Sequence, residues 1–220
     1  MAYAKVCYQD IEVSYLPELD GGGMDFGQEY VWVIPARIGA VEHLFEFCAG
    51  PGFIGFSLLA HGLCRRLTLA DINPAAVEAC RATIRDDKLE DRVSVYRSDC
   101  LDDIPHSERW DLIVGNPPHW PSDEAKYAGD RRMWDPDLRI HRKFYGSVRP
   151  RLKPGGKILL QENGSATGVE HFREMIEGNG LRIEDVFKAK PLSLLRCLLE
   201  GRRFKYTRPS QYYYILVRAA

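Results

Sequence analysis

The run Gly115-Asn116-Pro117-Pro118-His119 holds residue types suited to chemistry on a nitrogen atom. Each proline drives the residue before it into extended backbone, so Asn116 and Pro117 are held stiffly and their carbonyls cannot satisfy one another locally. The Asn116 side-chain oxygen and the Pro117 carbonyl can both accept hydrogens from one planar NH2 group. Accepting them orients the nitrogen and raises its electron density. Methyl transfer from a sulfonium needs such a lone pair held in line, and no strong base. Near-attack placement of this kind is worth roughly 7–11 kcal/mol in the best cases. His119 adds an imidazole that can stack, hydrogen-bond or carry charge near neutral pH; the plainer alternative is a surface-loop histidine.

A second constellation precedes it. Leu44 to Cys48 is apolar and aromatic with one acid, Glu46, and predicts a short buried strand. Gly50, Pro51 and Gly52 break the regular structure, and apolar residues from Phe53 to Leu63 recur at helical spacing. A glycine-rich turn lets backbone approach a ligand closely. The helix N-terminus behind it offers free N–H groups and partial positive charge. Gly50-x-Gly52-x-x-Gly55 fits the dinucleotide fingerprint, with Asp71 near the spacing of a ribose-binding acid. The glycines alone admit NAD, S-adenosylmethionine (SAM) or an ordinary turn. Asn-Pro-Pro favours SAM, because hydride transfer has no use for it and no acid–base constellation for a hydride is apparent.

The elements that must position these groups are read as follows. Lys5–Tyr8 and Ile11–Tyr15 form a hairpin, and Gly21-Gly22-Gly23 a flexible connection. Gln28–Val41 is a helix kinked or broken by Pro35. Strands follow at Leu67–Ala70, Val93–Tyr96 and Asp111–Val114, with a helix from Pro74 to Asp86 capped by Asn73. A polar loop then runs to Asp135, a helix covers Asp137–Val148, and the turn Lys153–Gly156 leads to a strand at Lys157–Gln161. A helix at Val169–Asn179 and strands at Leu181–Phe187 and Gln211–Val217 complete the chain. Alternating strands and helices predict an α/β fold, a Rossmann-like doubly wound and mostly parallel sheet with an antiparallel final strand. Residues 1–41 are expected to form a small N-terminal hairpin and lid, and 42–220 the catalytic domain. In such folds ligands lie at the strands' carboxyl ends. Ala49-Gly50, Asp71, Asp99 and Asn116 all follow strands, so they should converge on one crevice.

The 220 residues carry a net charge of −1 and 28% charged residues, so no global field recruits nucleic acid or membrane. The six cysteines show no CxxC and no Cys/His cluster, which argues against structural zinc, any other metal site and a disulfide framework. No signal peptide and no membrane-length apolar run is evident, so a cytoplasmic location is expected.

Together, Glu46, Gly50-x-Gly52, Asp71, Asp99 and Asn116-Pro117-Pro118 resemble class I SAM-dependent methyltransferases of the Asn-Pro-Pro-aromatic subgroup. That subgroup includes adenine-amino methyltransferases and release-factor glutamine methyltransferases. The resemblance covers about Gln28 to Gln161. It implies that Glu46, Ala49, Gly50 and Gly52 line the methionine part of the cofactor, with Phe53 and Asn116 also in contact with it. Asp71 would hold the ribose, Ile72 and Cys100 would lie beside the adenine, and Asp99 would accept from its amino group. Asn116 and Pro117 would hold the target nitrogen. Gln28-Glu29-Tyr30, Pro118, His119 and Trp120 would face the substrate. One departure is that His119 stands where relatives usually carry an aromatic ring that stacks on the acceptor.

For the acceptor, a small-molecule amine, guanidino group or amide is expected first, enclosed by the N-terminal lid with Glu29, Asp123 and Glu124 near a cationic group. A protein glutamine or similar amide comes second. Nucleic acid comes third, for which Arg202–Arg208 and Arg131-Arg132 with Trp134 are the basic-aromatic stretches. A non-catalytic SAM-binding subunit is the reading from another class. The hairpin either closes over the substrate or pairs two copies as a homodimer.

Overall fold

The computed structural model describes residues 2–21, 23–188 and 211–220. The stretch Arg202–Arg208 and Cys197 lie outside the described residues.

The hairpin forms as expected, β1 (Ala4–Tyr8) against β2 (Ile11–Tyr15). Helix α1 (Gly23–Arg37) differs from the expectation. It begins at Gly23, inside the presumed flexible run, and passes through Pro35 without ending there. Pro35 lies in the last turn, and Gly39 at φ 92° then stops the helix in a backbone conformation that only glycine adopts easily. The glycines have a packing reason. A Cβ on Gly27 would come within 2.9 Å of Ile54, so α1 can approach the next helix only because that position is bare.

The central sheet contains β3 (Val41–Phe47), β4 (Cys64–Asp71), β5 (Val93–Arg97), β6 (Trp110–Gly115), β7 (Leu152–Asn163), β8 (Leu181–Phe187) and β9 (Tyr212–Ala219). Its order is β5-β4-β3-β6-β7-β9-β8. The first five strands run parallel, and β9 lies antiparallel between β7 and β8. Chain order reverses beside β3, where β4 leaves to one side and β6 returns on the other. That is the switch point at which such sheets open a ligand crevice. The expected turn at Lys153–Gly156 is absorbed into β7 as an irregularity, with pairing shifting between Trp110–Leu152 and Leu112–Lys157.

Period-two alternation divides the core. Leu44, Leu67, Leu69, Leu112 and Val114 face α1, α2 (Phe53–Ala60) and α3 (Pro74–Asp86). Phe45, Phe47, Ile113 and Leu160 face α5 (Arg139–Val148) and α6 (Glu170–Glu177), while α4 (Glu124–Gly129) lies in the loop after β6. Phe47 stacks on Phe144 at 4.2 Å between ring centroids, adding aromatic attraction to area burial. Tyr8, Ile11 and Val13 of the hairpin are buried in the first cluster. The Ser14 amide donates to Thr83 Oγ1 at 2.9 Å and the Glu12 amide to Asp87 Oδ2 at 2.9 Å. The hairpin therefore lies on the α2–α3 layer. Among the described residues of the N-terminal segment, Leu19, Gly21 and Gly23 reach the crevice. No helix among the described residues is long and apolar enough to cross a membrane.

Candidate active site

A cleft of about 1020 Å³, open mouth included, lies over the carboxyl ends of β3, β4, β5 and β6. Glu46, Ala49, Gly50, Phe53, Asp71, Ile72, Asp99, Cys100, Asn116 and Pro118 all line it. Four segments far apart in the chain thus meet, as parallel strand ends require.

The turn after β3 is shaped by left-handed backbone at Cys48 (φ 53°), Gly50 (φ 53°) and Gly52 (φ 80°). A Cβ on Gly50 would meet nothing closer than the Leu19 carbonyl at 4.0 Å, which leaves an open cradle against bare backbone. Gly52 plays another part than expected. It does not line the cleft but precedes α2, and a Cβ there would stand 2.8 Å from Phe56. Glu46 is buried, and its Oε2 accepts the Gly55 amide at 2.7 Å in the first turn of α2. Burial pushes its carboxyl up to about 8, against the pull of the Gly55 and Ile54 amides.

Asp71 ties the neighbouring turns together. Its Oδ2 accepts the Gly50 amide at 2.7 Å and its Oδ1 the Asn73 amide at 2.8 Å. Burial raises its pKa, opposed by those same amides. Asn73 caps α3 as expected, accepting the Ala75 amide at 3.0 Å. On the third strand end, Asp99 is exposed and pairs with Lys143 of α5 at 2.6 Å.

Asn116 stands at the end of β6, beside β3. Its Oδ1 is buried and has no hydrogen-bond partner among the described residues. A buried acceptor left unmade costs about 1–3 kcal/mol, so native structures keep few of them.

Several expected substrate contacts lie away from this cleft. Tyr30 is fully buried, and its hydroxyl lies 2.7 Å from the Gly115 carbonyl and 3.1 Å from that of Leu159. Glu29 meets the Tyr214 hydroxyl at 3.0 Å and Gln161 Nε2 at 3.3 Å, and burial raises its pKa. Gln28 is buried, as is Pro117 behind the cleft wall. Trp120 pairs with Trp134 across a strand-like bridge, their ring centroids 6.4 Å apart. His119 is neither a surface-loop residue nor a wall of the cleft. It turns inward, and its Nδ1 lies 3.1 Å from Glu162 Oε2. The attraction is a buried carboxylate more than forty residues away in sequence, which no local pattern announces.

Sequence reasoning also missed Tyr127 and Ile140, which line the cleft together with Arg131 from the loop and helix after β6. The Arg131 guanidinium sits 5.5 Å from the Tyr127 ring centroid, and that of Arg139 4.6 Å. The short helix α4 that carries Tyr127 is capped by Asp123, which accepts the Lys126 amide at 3.0 Å. Among the described residues no group of His, Cys, Asp and Glu is arranged to hold a metal ion.

Comparison with known proteins agrees with this geometry. Residues 23–165 match the family described as Methyltransferase small domain. Release factor glutamine methyltransferase of Cereibacter sphaeroides is 32% identical over 148 residues, covering 63% of this chain and 52% of that protein. The namesake enzyme of Clostridium acetobutylicum is 30% identical over 127 residues, covering 53% and 45%. The chain thus spans about half the length of these curated relatives. Among solved structures, a T. thermophilus 16S rRNA N2 G1207 methyltransferase in complex with AdoMet and guanosine superposes with a TM-score of 0.65. It is 15% identical, and the match covers 99% of this chain and 50% of that one. A SAM-dependent methyltransferase from Clostridium acetobutylicum gives 0.58 at 11% identity, covering 98% and 93%. At such identities these likenesses speak to the fold, which is the Rossmann-like methyltransferase fold. On the match that spans the glycine turn, Asp71, Asp99 and Asn116, this chain belongs to the methyltransferase small domain family of SAM-dependent enzymes.

Proposed function

We propose that this SAM-dependent N-methyltransferase acts on a side-chain amide nitrogen of a protein, with glutamine as the acceptor. The observation that carries the reading is Asn116, a residue of the cleft wall whose buried Oδ1 has no partner among the described residues. An acceptor in that state is completed by an incoming N–H donor.

The cleft residues fit SAM. Gly50 leaves backbone bare, Asp71 is a carboxylate suited to two hydroxyls, Ile72 and Phe53 are apolar surfaces, and Glu46 is an acid facing the same space. In this reading Glu46, Ala49 and Gly50 hold the methionine part, Asp71 the ribose, and Ile72, Asp99 and Cys100 the adenine. When bound, SAM supplies an electrophilic methyl on a sulfonium. The protein's part is placement. Asn116 Oδ1 accepts an amide hydrogen and aims the nitrogen, and Pro118 borders the opening. Holding reactants this way replaces the need for a strong base.

The choice of acceptor reverses the order expected from sequence. The curated relatives are named as release factor and ribosomal protein uL3 glutamine methyltransferases, which supports the protein alternative over a small molecule. A substrate of that kind would place the reaction in the cytoplasm.

The test incubates the chain and methyl-labelled SAM with a cell extract. Label on protein that protease releases, nuclease leaves, and peptide mapping assigns to glutamine supports the proposal. Label confined to small molecules or removed by nuclease overturns it.

A further inference from the structure

We propose that Glu162 is a positioning residue for the Asn116 clamp, acting through His119 and not on the substrate. The inference rests on the clamp reading of Asn116. Glu162 lies near the end of β7, and each of its oxygens meets an imidazole. Oε2 stands 3.1 Å from His119 Nδ1, and Oε1 stands 3.1 Å from His141 Nε2. His141 Nδ1 in turn lies 2.6 Å from Asp135 Oδ2, and Asp135 Oδ1 accepts the Ile140 amide at 2.9 Å. Asp135, His141 and Glu162 are 0% exposed and His119 is 8% exposed, so one buried polar chain joins the loop after β6, helix α5 and strand β7.

The charges order its protons. Burial disfavours a charged His141, but Glu162 and Asp135 outweigh it and raise that imidazole to about 9. Burial opposes the charge on Glu162, but His141 and His119 together outweigh it and hold the carboxyl below its ordinary range. An ionised carboxylate only accepts, so His119 must present Nδ1–H to Glu162. That fixes its ring in one orientation.

His119 stands three residues after Asn116, and both residues between are prolines with restricted backbone. Orientation at one end of this segment is therefore felt at the other. Upstream, the Tyr30 hydroxyl holds the Gly115 carbonyl. Asn116 is pinned from both sides. A loose loop would relieve the unpartnered Oδ1 by turning it to water or to a backbone amide. The anchor at His119 restrains the segment against that turn.

The test uses the full chain, 15N-labelled, with SAM as the only ligand, so the identity of the acceptor does not enter. His119→Phe keeps a ring and removes the donor, His119→Asn keeps a donor near the Nδ1 position, and Glu162→Gln removes the charge. In the native chain, long-range 1H–15N spectra should show His119 protonated at Nδ1, and the Asn116 side-chain NH2 should give one sharp pair. In His119→Phe and Glu162→Gln that pair should broaden or split, while the calorimetric Kd for SAM stays within about twofold. His119→Asn should restore the single pair. If Glu162→Gln fails to fold, His119→Phe carries the test, because it leaves Glu162 paired with His141. Unchanged Asn116 signals in His119→Phe, no restoration by His119→Asn, or a parallel collapse of SAM binding would each overturn the proposal. Should Asn116 respond as expected while Asn116→Ala, in the separate assay with methyl-labelled SAM and cell extract, still labels protein, the clamp reading fails and the anchor stands.

Discussion

The Tyr30 hydroxyl donates to the Gly115 carbonyl across 2.7 Å, joining α1 to the strand end that carries Asn116. The Leu159 carbonyl shares that proton from 3.1 Å, so one buried hydroxyl ties β6 and β7 together where the cleft opens. Burial holds the phenol well above its ordinary pKa, which keeps it a donor at any working pH. Tyr30→Phe should cost about 1–2 kcal/mol by leaving these carbonyls without their donor. Thermal unfolding should register it as a Tm lower by roughly 2–6 °C.

Asn116→Ala removes a buried acceptor that has no partner among the described residues, so the folded state loses nothing by it. Denaturant unfolding should show stability unchanged or raised by up to about 1 kcal/mol. Methyl transfer should fall at least about a hundredfold while SAM binding stays nearly intact. Asp71→Ala should behave in the opposite way, weakening SAM itself and also destabilising the Gly50 and Asn73 turns that its carboxylate holds. If calorimetry and turnover changed alike in both variants, the division of roles between cofactor and acceptor would be wrong.

Glu46 should couple cofactor binding to pH. Its carboxyl is raised from 4.5 to about 8 by burial, so the folded chain binds more protons than the unfolded chain across that window. Stability contributed through this group therefore falls as pH rises from 4.5 toward 8. The cationic cofactor favours the ionised carboxylate, so SAM affinity should rise with pH and level off above about 8. Calorimetry in buffers of different ionisation enthalpy should detect a proton released on binding. Glu46→Gln should abolish that release and flatten the pH dependence.

Two glycines should respond to alanine with opposite signs. A Cβ on Gly55 would stand 2.7 Å from Glu46 Oε2, 2.8 Å from Leu67 and 3.0 Å from Leu69, all in the packed interior. Gly55→Ala should destabilise by about 1–3 kcal/mol and disturb the Glu46 carboxyl with it. Gly146 lies in α5, and a Cβ there would have nothing within 4 Å. Gly146→Ala should stabilise by about 0.4–1 kcal/mol, since alanine loses less backbone entropy in a helix. Equal shifts in denaturation midpoint would contradict the close packing at Gly55.

The cleft was legible because its signals are local. Strand, glycine turn and helix follow one another at Glu46–Phe53, Asn73 and Pro74 mark the start of α3, and each acid or amide of interest trails a strand. The start of α1 was not legible, because Gly27 is there for a contact with Ile54 on another helix. Tyr30 and His119 read as substrate contacts for the same reason. Their partners, Gly115 and Glu162, lie 85 and 43 residues along the chain.

The sequence by itself determined the alternation of strands and helices, the glycine turn, and the stiff Asn116-Pro117-Pro118 segment. Those depend on side-chain period, proline and glycine backbone limits, and capping, all of which act within a few residues. Only the tertiary structure decided which way the side chains around that segment turn. Burial left Glu46 an acid near neutral pH, gave Glu162 two imidazoles, and left Asn116 Oδ1 without a partner among the described residues. These outcomes depend on desolvation and long-range pairing, which arise only when distant segments share one low-dielectric interior.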